Sequence, residues 1–426
     1  MKSASLLLTV VMIAGCSQAT DSLAPATQQP AATARAQAKP AQSYTTLYSF
    51  SPQPDGNSPD SSLVFSPTTE RLYGATYGGG TPGPSPGPCS LGCGTVYSID
   101  PSNPVTEKVV HSFGGNGDGA IPEADLTLAK TGSEEFLYGT TAYGGEKNAS
   151  SCPHGCGTIF EVSPSGYESV LYSFAGPPQD GATPVGALLM PVNGTFYGVT
   201  EYGGAYGLGT IFSWSASGET TVYSFRGGSA DGAYPLNNLI DVGGDLYGVT
   251  SQGGKGNAGT VFRLTISPPA QERTILSFTA ATGNYPVGLD AYSNSTTLYG
   301  ATSAGGRNQR GTVLALSIAG RIKWVYSFKN DPDGAFPEAQ PRLYDDAIYG
   351  TTHGGGEKGL GSIYRIEITG KGECVLHSFG ANGDGFWPVA TLRRWTIAGT
   401  SRFYGTALAG GANGLGSVFA IAPTAC

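Results

Sequence analysis

The chain has 426 residues and a formal net charge of −8 at neutral pH, and glycine and proline occupy 66 and 29 positions, about 22 % of the chain against an average of about 12 %. This much glycine and proline, with only 13 % charged residues, excludes a coiled coil or another long-helix protein. The 10 % of aromatic residues argues against a disordered chain, and the lack of a basic block argues against a nucleic-acid partner.

The N-terminal segment has the pattern of a signal peptide. An apolar run from Leu6 to Ile13 is too short to span a membrane but has the length of a signal-peptide core. The run ends in Ala14-Gly15-Cys16, which resembles the lipobox of bacterial lipoproteins, in which the cysteine carries the lipid. The alternative is an ordinary signal peptide with a chance cysteine.

The sequence therefore predicts three parts. Residues 1–16 form a lipoprotein signal peptide with its lipobox cysteine. Residues 17–43 are mostly Ala, Pro, Gln and Thr, and we expect a disordered linker because such a segment buries too little apolar surface to fold. Residues 44–426 form the folded domain. A lipid at Cys16 would attach this domain to a membrane of the bacterial cell envelope, on the periplasmic side or at the outer-membrane surface.

The folded domain repeats one unit seven times, and four markers recur in a fixed order. The first marker is the phenylalanine that closes a Tyr/His-Ser-Phe-like segment: Phe50, Phe113, Phe174, Phe225, Phe278, Phe328 and Phe379. The second is a proline: Pro59, Pro122, Pro184, Pro235, Pro286, Pro337 and Pro388. The third is a Tyr-Gly pair: Tyr73, Tyr138, Tyr197, Tyr247, Tyr299, Tyr349 and Tyr404. The fourth is the glycine of a Gly-Thr or Gly-Ser pair: Gly94, Gly157, Gly209, Gly259, Gly311, Gly361 and Gly416.

Each unit holds four short strands: one after the proline, one at Leu-Tyr-Gly, one at Gly-Thr-Val-Phe and one at Leu-Tyr-Ser-Phe. Four-stranded units of about 50 residues, repeated four to eight times, predict a β-propeller, here with seven blades. The repeat begins with a lone fourth strand at Thr45 and ends with a third strand at Ile421, so we expect the N-terminal strand to complete the last blade. The alternative is an open β-solenoid, which would not need matching half-units at its ends.

The recurring Leu-Tyr-Gly-Thr-Thr, Gly-Gly, Gly-Thr-Val-Phe and Leu-Tyr-Ser-Phe motifs over roughly 44–422 resemble the Gloeo/Verruco-type, or GloVer, tandem-repeat family. The resemblance implies a bacterial surface or secreted protein, and it brings no assigned activity and no catalytic residues. The motifs are more loosely similar to kelch-type propellers, in which a blade strand also ends in Gly-Gly.

The cysteine count suits an oxidising compartment, because six cysteines remain besides Cys16. We expect local Cys89–Cys93 and Cys152–Cys156 disulfides, in the loops between the second and third strands of blades 1 and 2. A Cys374–Cys426 disulfide between neighbouring blades is also plausible. The competing interpretation is a four-cysteine zinc site, but its spacing is unlike the common structural types, so we expect no metal.

Two sets of side chains flank the repeated proline, on the face where the Asp-Gly and Gly-Gly loops open. The residue before the proline is aromatic in four successive units: Tyr234, Tyr285, Phe336 and Trp387. These rings suit stacking on sugars, or they simply pack on the next blade. The residue after the proline is acidic in three units: Asp60, Glu123 and Glu338. These carboxyls are the weak catalytic candidates, and the alternative is that they are solvated at a rim.

The sequence therefore favours a non-enzymatic binding module, monomeric and without a cofactor, whose ligand is a glycan or an envelope protein. The alternative is a polysaccharide-active enzyme, a hydrolase or a lyase, on the same scaffold. A third interpretation is a structural part of a surface complex, which an exposed apolar side wall would favour. His111 and His377 replace the tyrosine of the Tyr-Ser-Phe segment, so we interpret both as structural.

Overall fold

The structure is a computed structural model that describes residues 44–82, 89, 92–102, 106–115, 117–146, 151–192, 194–267, 269–381 and 383–423. The proposed signal peptide, the lipobox Cys16, the linker over 17–43 and Cys426 lie outside the described residues. The described residues contain strands and turns but no helix, and therefore no helix that is long and apolar enough to span a membrane.

The described residues form thirty-three strands, which build seven blades. The N-terminal strand is β1 (Thr45–Ser49). Blade 1 contains β2 (Gly56–Pro59), β3 (Val64–Ser66), β4 (Arg71–Gly79), β5 (Thr95–Ile99) and β6 (Glu107–Ser112). Blade 2 contains β7 (Thr127–Thr131), β8 (Glu134–Thr141), β9 (Thr158–Val162) and β10 (Glu168–Ser173). Blade 3 contains β11 (Gly181–Val192), β12 (Thr195–Gly203), β13 (Thr210–Ser215) and β14 (Gly218–Ser224).

The remaining four blades follow the same order. Blade 4 contains β15 (Gly232–Val242), β16 (Asp245–Gly253), β17 (Thr260–Thr265) and β18 (Gln271–Ser277). Blade 5 contains β19 (Asn284–Asp290), β20 (Thr297–Ala304), β21 (Thr312–Ser317) and β22 (Ile322–Ser327). Blade 6 contains β23 (Gly334–Ala335), β24 (Arg342–Tyr344), β25 (Ala347–Thr352), β26 (Gly354–Gly355), β27 (Ser362–Glu367) and β28 (Cys374–Ser378). Blade 7 contains β29 (Gly385–Phe386), β30 (Arg393–Ile397), β31 (Thr400–Ala407), β32 (Ala409–Gly410) and β33 (Ser417–Ile421).

The seven-bladed propeller and its closure are confirmed. The strands of every blade are antiparallel, and β1 pairs with β33 as the outer strand of blade 7. In blades 6 and 7 the first strand is interrupted, so β23 pairs with β26 and β29 with β32 in separate two-stranded sheets. The first strand of each blade lies at the central channel and the fourth at the outside. The upper face is defined as the one where the fourth strands end and the Gly-Gly loops follow the second strands. The lower face carries two loops of each blade, one between the first and second strands and one between the third and fourth strands.

Neighbouring blades meet through a glycine and a proline. At all seven Gly-Thr or Gly-Ser glycines, an added Cβ would collide with the Cδ atom of the repeated proline in the following blade. Gly259, with φ of +93°, would place its Cβ 2.5 Å from Pro286 Cδ. The contact between Gly416 and Pro59 is the same contact across the ring closure. These glycines are therefore required by a close approach of two backbones, not only by their positive φ.

The residue before each proline completes this junction. All seven such residues have φ between 53° and 60°, although none is a glycine. Each donates its N–H to the carbonyl that precedes the junction glycine of the neighbouring blade, at 2.8 to 3.2 Å. A left-handed conformation costs a non-glycine residue about 1–2 kcal/mol, and an inter-blade hydrogen bond offsets about 1 kcal/mol of it. The seven residues are Ser58, Ile121, Thr183, Tyr234, Tyr285, Phe336 and Trp387.

A second contact between blades joins an aspartate, a tyrosine and a glutamate. In four blades the Tyr of the Tyr-Ser-Phe strand donates its hydroxyl to the Asp of the following Asp-Gly turn, as Tyr223 does to Asp231 at 2.9 Å. The same Asp caps the N–H groups of Arg226 and Gly232, as Asp-Gly turn chemistry predicts. His377 takes the tyrosine's place with Nε2 2.8 Å from Asp384, which confirms its structural role.

The glutamate comes from the outer strand of the next blade. Burial and the neighbouring Asp raise the pKa of each of these glutamates to about 7. The five glutamates are Glu107, Glu168, Glu219, Glu272 and Glu373. Between blades 4 and 5 all three partners change together, because Leu276, Thr282 and Ile322 stand at the Tyr, Asp and Glu positions. At the two junctions where a histidine replaces the tyrosine, Asp118 and Asp384 are retained, so single members of the trio also change.

The glycine–proline contact predicts a large stability loss for Gly259→Ala. The new Cβ would lie 2.5 Å from Pro286 Cδ and would also collide with the Thr250 carbonyl oxygen, and the alanine would have a disfavoured φ, so the free energy of unfolding should fall by about 2–4 kcal/mol. The matched control is Gly243→Ala, which also has positive φ (+67°) but has no atom within 4 Å of the added Cβ. Its cost should be about 1 kcal/mol. Guanidinium unfolding measures both, and equal losses would contradict a role for the proline.

The acidic junctions predict that the propeller loses stability as pH rises through 7. A glutamate with a folded-state pKa of about 7 and an unfolded value near 4.3 stabilises the fold fully at pH 4 and loses that contribution by pH 8. Glu272→Gln should therefore raise the free energy of unfolding by about 1 kcal/mol relative to the parent protein at pH 8, and by much less at pH 5. The exposed Glu134→Gln is the control, and an equal effect of Glu272→Gln at both pH values would refute the prediction.

Candidate functional site

The central channel holds two cavities. The upper cavity has a volume of about 510 Å³ and opens on the upper face, and the lower cavity has a volume of about 450 Å³. All seven blades contribute residues to each cavity. Leucine is the most frequent residue around the lower cavity, which also holds three carboxyls and the two arginines Arg342 and Arg393. Four carboxyls line the upper cavity together with small and apolar residues, and none of its described lining residues is Lys or Arg. The two ends of the channel therefore differ in chemistry.

Buried polar side chains lie between the two cavities and connect blades across the ring. The Asn238 amide of blade 4 donates to Asp125 of blade 2 at 3.1 Å and to Gln340 of blade 6 at 3.0 Å. Arg393 of blade 7 donates to Asp125 at 3.2 Å, and Gln340 donates to the Leu289 carbonyl of blade 5. This polar belt lies where the two cavities meet, because Asp125 lines both of them, and we call the upper cavity the cup.

The structure brings the three carboxyls that follow the prolines into the upper cavity. Burial, Glu338 and Asp125 raise the pKa of Asp60 to about 7. Burial, Asp60 and Glu201 raise the pKa of Glu123 to about 8. Glu338 is more exposed, and its Oε2 lies 3.0 Å from Nδ1 of His353. In the described part of the chain no three His, Cys, Asp or Glu residues lie close enough together to hold a metal ion.

The four aromatic residues before the prolines differ in exposure. Tyr285 is 49 % exposed and also lines the upper cavity, and Trp387 is 36 % exposed. Tyr234 is half-buried against Tyr202, with ring centroids 5.5 Å apart. Phe336 is half-buried beneath the guanidinium of Arg310 at 5.1 Å. Tyr285 and Trp387 are therefore the exposed rings of this set, although Trp387 also packs against His353 and Phe386, with ring centroids 5.2 and 5.0 Å apart.

The ends of the second strands add residues that the sequence reasoning missed. Tyr77 and Tyr202 are each 45 % exposed, and burial raises the pKa of Glu201. The signal was present in the sequence, because these residues follow the threonine after Tyr-Gly, beside the Gly-Gly loops already placed on this face. We call the combined surface the acidic–aromatic face. It comprises Asp60, Tyr77, Glu123, Tyr143, Glu201, Tyr202, Tyr234, Tyr285, Phe336, Glu338, His353 and Trp387.

Four cysteines form disulfides in the loops of the same face. Cys89–Cys93 and Cys152–Cys156 are disulfides, as predicted, and this excludes the alternative of a zinc site made from those four thiolates. The second disulfide lies beside a cavity of about 430 Å³ that Tyr143 and Tyr202 also line. Cys374 is disulfide-bonded, while its predicted partner Cys426 lies outside the described residues.

A ring of seven four-stranded sheets, closed by an N-terminal strand and enclosing a cup, defines a β-propeller. The Gloeobacter/Verrucomicrobia repeat matches residues 148–341 and 293–425, together about two thirds of the sequence, and the chain belongs to this family. The matched residues include most of blades 3 to 7. Blade 1 and most of blade 2 lie outside the match and share the repeat through the sequence markers and the same sheet topology.

Solved structures confirm the architecture. The WD40 β-propeller domain of Doa1 is similar over 88 % of this chain and 97 % of its own, with 10 % identity and a TM-score of 0.51. An ancestral GH74 enzyme is similar over 86 % of this chain and 48 % of its own, with 10 % identity and a TM-score of 0.54. At such identities the likeness is one of fold alone. No curated protein is similar in sequence to this chain.

Proposed function

We propose that the protein is a binding module that holds a carbohydrate chain on its acidic–aromatic face. The observation that carries the proposal is the position of Tyr285 and Trp387, two exposed rings at the rim of a cup lined by carboxyls. Exposed large apolar groups on one face of a rigid scaffold are typical of a binding surface. Of the eight large hydrophobic side chains that are exposed among the described residues, four lie on this face: Tyr77, Tyr202, Tyr285 and Trp387.

A sugar chain suits this surface for two reasons. Pyranose rings offer flat C–H faces that stack on aromatic rings, and Tyr and Trp provide such contact area with little loss of conformational freedom. Sugar hydroxyls also donate hydrogen bonds, and the carboxyls of Asp60 and Glu123 accept none from the described protein groups. A sugar chain that lies across the rim would therefore stack on the aromatic rings and donate hydrogen bonds to the carboxyls.

The same proposal includes a location. The lipobox-like Ala14-Gly15-Cys16 supports a lipid anchor, and the disulfides suit an oxidising compartment such as the cell envelope. In this setting the ligand would be an envelope or extracellular polysaccharide. The competing partner is an envelope protein, for which the exposed rings would serve as hydrophobic anchors.

A polysaccharide-active enzyme is the second candidate. The pKa values of Asp60 and Glu123, about 7 and about 8, favour it, because a general acid works best near the ambient pH. The exposed Glu338, which lies beside His353 and helps to raise the pKa of Asp60, would then be the second carboxyl of the catalytic pair. Release of reducing ends from a bound polysaccharide by the parent protein, and its loss in the Asp60→Asn variant, would favour the enzyme over the binding module.

Removing a rim ring should abolish most of the affinity. We expect Trp387→Ala and Tyr285→Ala each to weaken binding about tenfold or more on a polysaccharide array and by calorimetry, the usual effect of losing an anchor residue. The matched control is Tyr167→Ala, which removes a ring that is 71 % exposed in the β9–β10 turn of the lower face. If no glycan binds, or if all three variants bind alike, the carbohydrate proposal is wrong.

A further inference from the structure

We infer that the glycan unit seated in the upper cavity carries a positive charge, which makes it an amino sugar with a free amine. The inference rests on the proposed function and assigns the class of ligand. It depends on the charge of the cup, on the missing partners of two of its carboxyls and on the rings beside them.

The described residues that line the cup include Asp60, Glu123, Asp125 and Glu338, and none of them is Lys or Arg. Asp125 accepts hydrogen bonds from Asn238 and Arg393, and Glu338 is paired with His353. An acidic sugar, a sulfate or a phosphate placed in the cup would meet like charges, which oppose binding. The cup therefore selects a neutral or a cationic group.

Asp60 and Glu123 separate these two possibilities. Neither carboxyl accepts a hydrogen bond from the described residues, in contrast to Asp231, which accepts three. An ammonium group supplies three donors and a compensating charge, whereas a hydroxyl supplies one donor and no charge. Hydrogen bonds to charged groups contribute about 1.5–3 kcal/mol, against about 1 kcal/mol for neutral ones.

Aromatic rings beside these acids favour the same group. Tyr77 is exposed and lies close enough to Glu123 and Asp60 for their charges to raise the pKa of its hydroxyl. Tyr285 reaches the cup from the opposite side of the ring. A cation within about 6 Å of an aromatic face gains roughly 0.5–2 kcal/mol. Acids and rings together form a site of the kind that binds ammonium groups.

The titration of the cup gives a signature of this ligand. With pKa values of about 7 and about 8, Asp60 and Glu123 are mostly protonated at pH 6. An arriving ammonium stabilises their ionised forms and lowers both pKa values, so binding should release protons to the buffer. The groups that share this environment are Glu338, Asp125, Glu201, Tyr77, Tyr143 and His353.

The test compares β-1,4-linked oligosaccharides of equal length that differ mainly in one substituent. Calorimetry at pH 6 would use β-1,4-linked oligomers of glucosamine, N-acetylglucosamine and glucose, and a separate acidic probe, oligogalacturonate, which is α-1,4-linked. We expect the glucosamine oligomer to bind about tenfold or more tightly than the glucose oligomer, with proton release seen as a binding enthalpy that varies with the buffer. The oligogalacturonate should bind least.

Two variants test whether the carboxyls of the cup cause the preference for the glucosamine oligomer. Asp60→Asn combined with Glu123→Gln should bring the affinities for the glucosamine and glucose oligomers within about threefold of each other and end the proton release. Glu123→Gln alone should give an intermediate ratio of the two affinities if the double variant folds poorly, and the exposed Glu134→Gln is the control.

Equal affinities of the parent protein for the glucosamine and glucose oligomers would overturn the inference and leave the proposed function standing. Preference for oligogalacturonate would also overturn the inference. Binding of none of the oligomers would overturn both.

Discussion

Seven times around the ring, a proline of one blade occupies the space where the preceding blade's glycine would carry a side chain. The contact leaves no room for substitution on the glycine side, and it holds the proline at a fixed height above the channel. The N–H bond of the residue before the proline ties the same point to the neighbouring carbonyl. Gly416 and Pro59 make this contact between the last blade and the first. The ring is therefore closed by the same glycine–proline contact that joins the other neighbouring blades.

This constraint explains where the site is. The contact between blades is made by the glycine, the proline and a backbone hydrogen bond. The side chains of the residues before and after the proline take no part in it, so these residues can vary while the contact is kept. They range from Ser58 to Trp387 before it and from Val185 to Glu123 after it. The first group reaches the rim and the second lines the cup. A repeat protein can thus acquire a specific site by changing two positions per blade on a constant framework.

Much of the fold and part of the site were predictable from the sequence. Seven recurrences of four markers imply seven blades, and the half-units at Thr45 and Ile421 imply the closure that β1 and β33 make. The short Cys89–Cys93 and Cys152–Cys156 spacings were sufficient to predict local disulfides. The polar belt was not predictable, because Asp125, Asn238 and Gln340 come from different blades and share no repeated motif. The positive φ before each proline was also missed, since the residues there have little in common except their place at the junction.

The closing strand has a mechanical consequence. β1 runs from the lower face, where Tyr44 precedes it, toward the upper face, and it pairs with β33 from Thr45 to Ser49 with one bulge between Thr46 and Tyr48. Tension on the chain ahead of Tyr44 therefore acts along the strand and loads its hydrogen bonds in shear, so they must fail together and not one after another. Their failure would remove the outer strand of blade 7 and the ring's closure in the same event. If the protein carries the lipid anchor proposed above, the force that this strand withstands, and not the equilibrium stability of the ring, sets how long the propeller survives under flow.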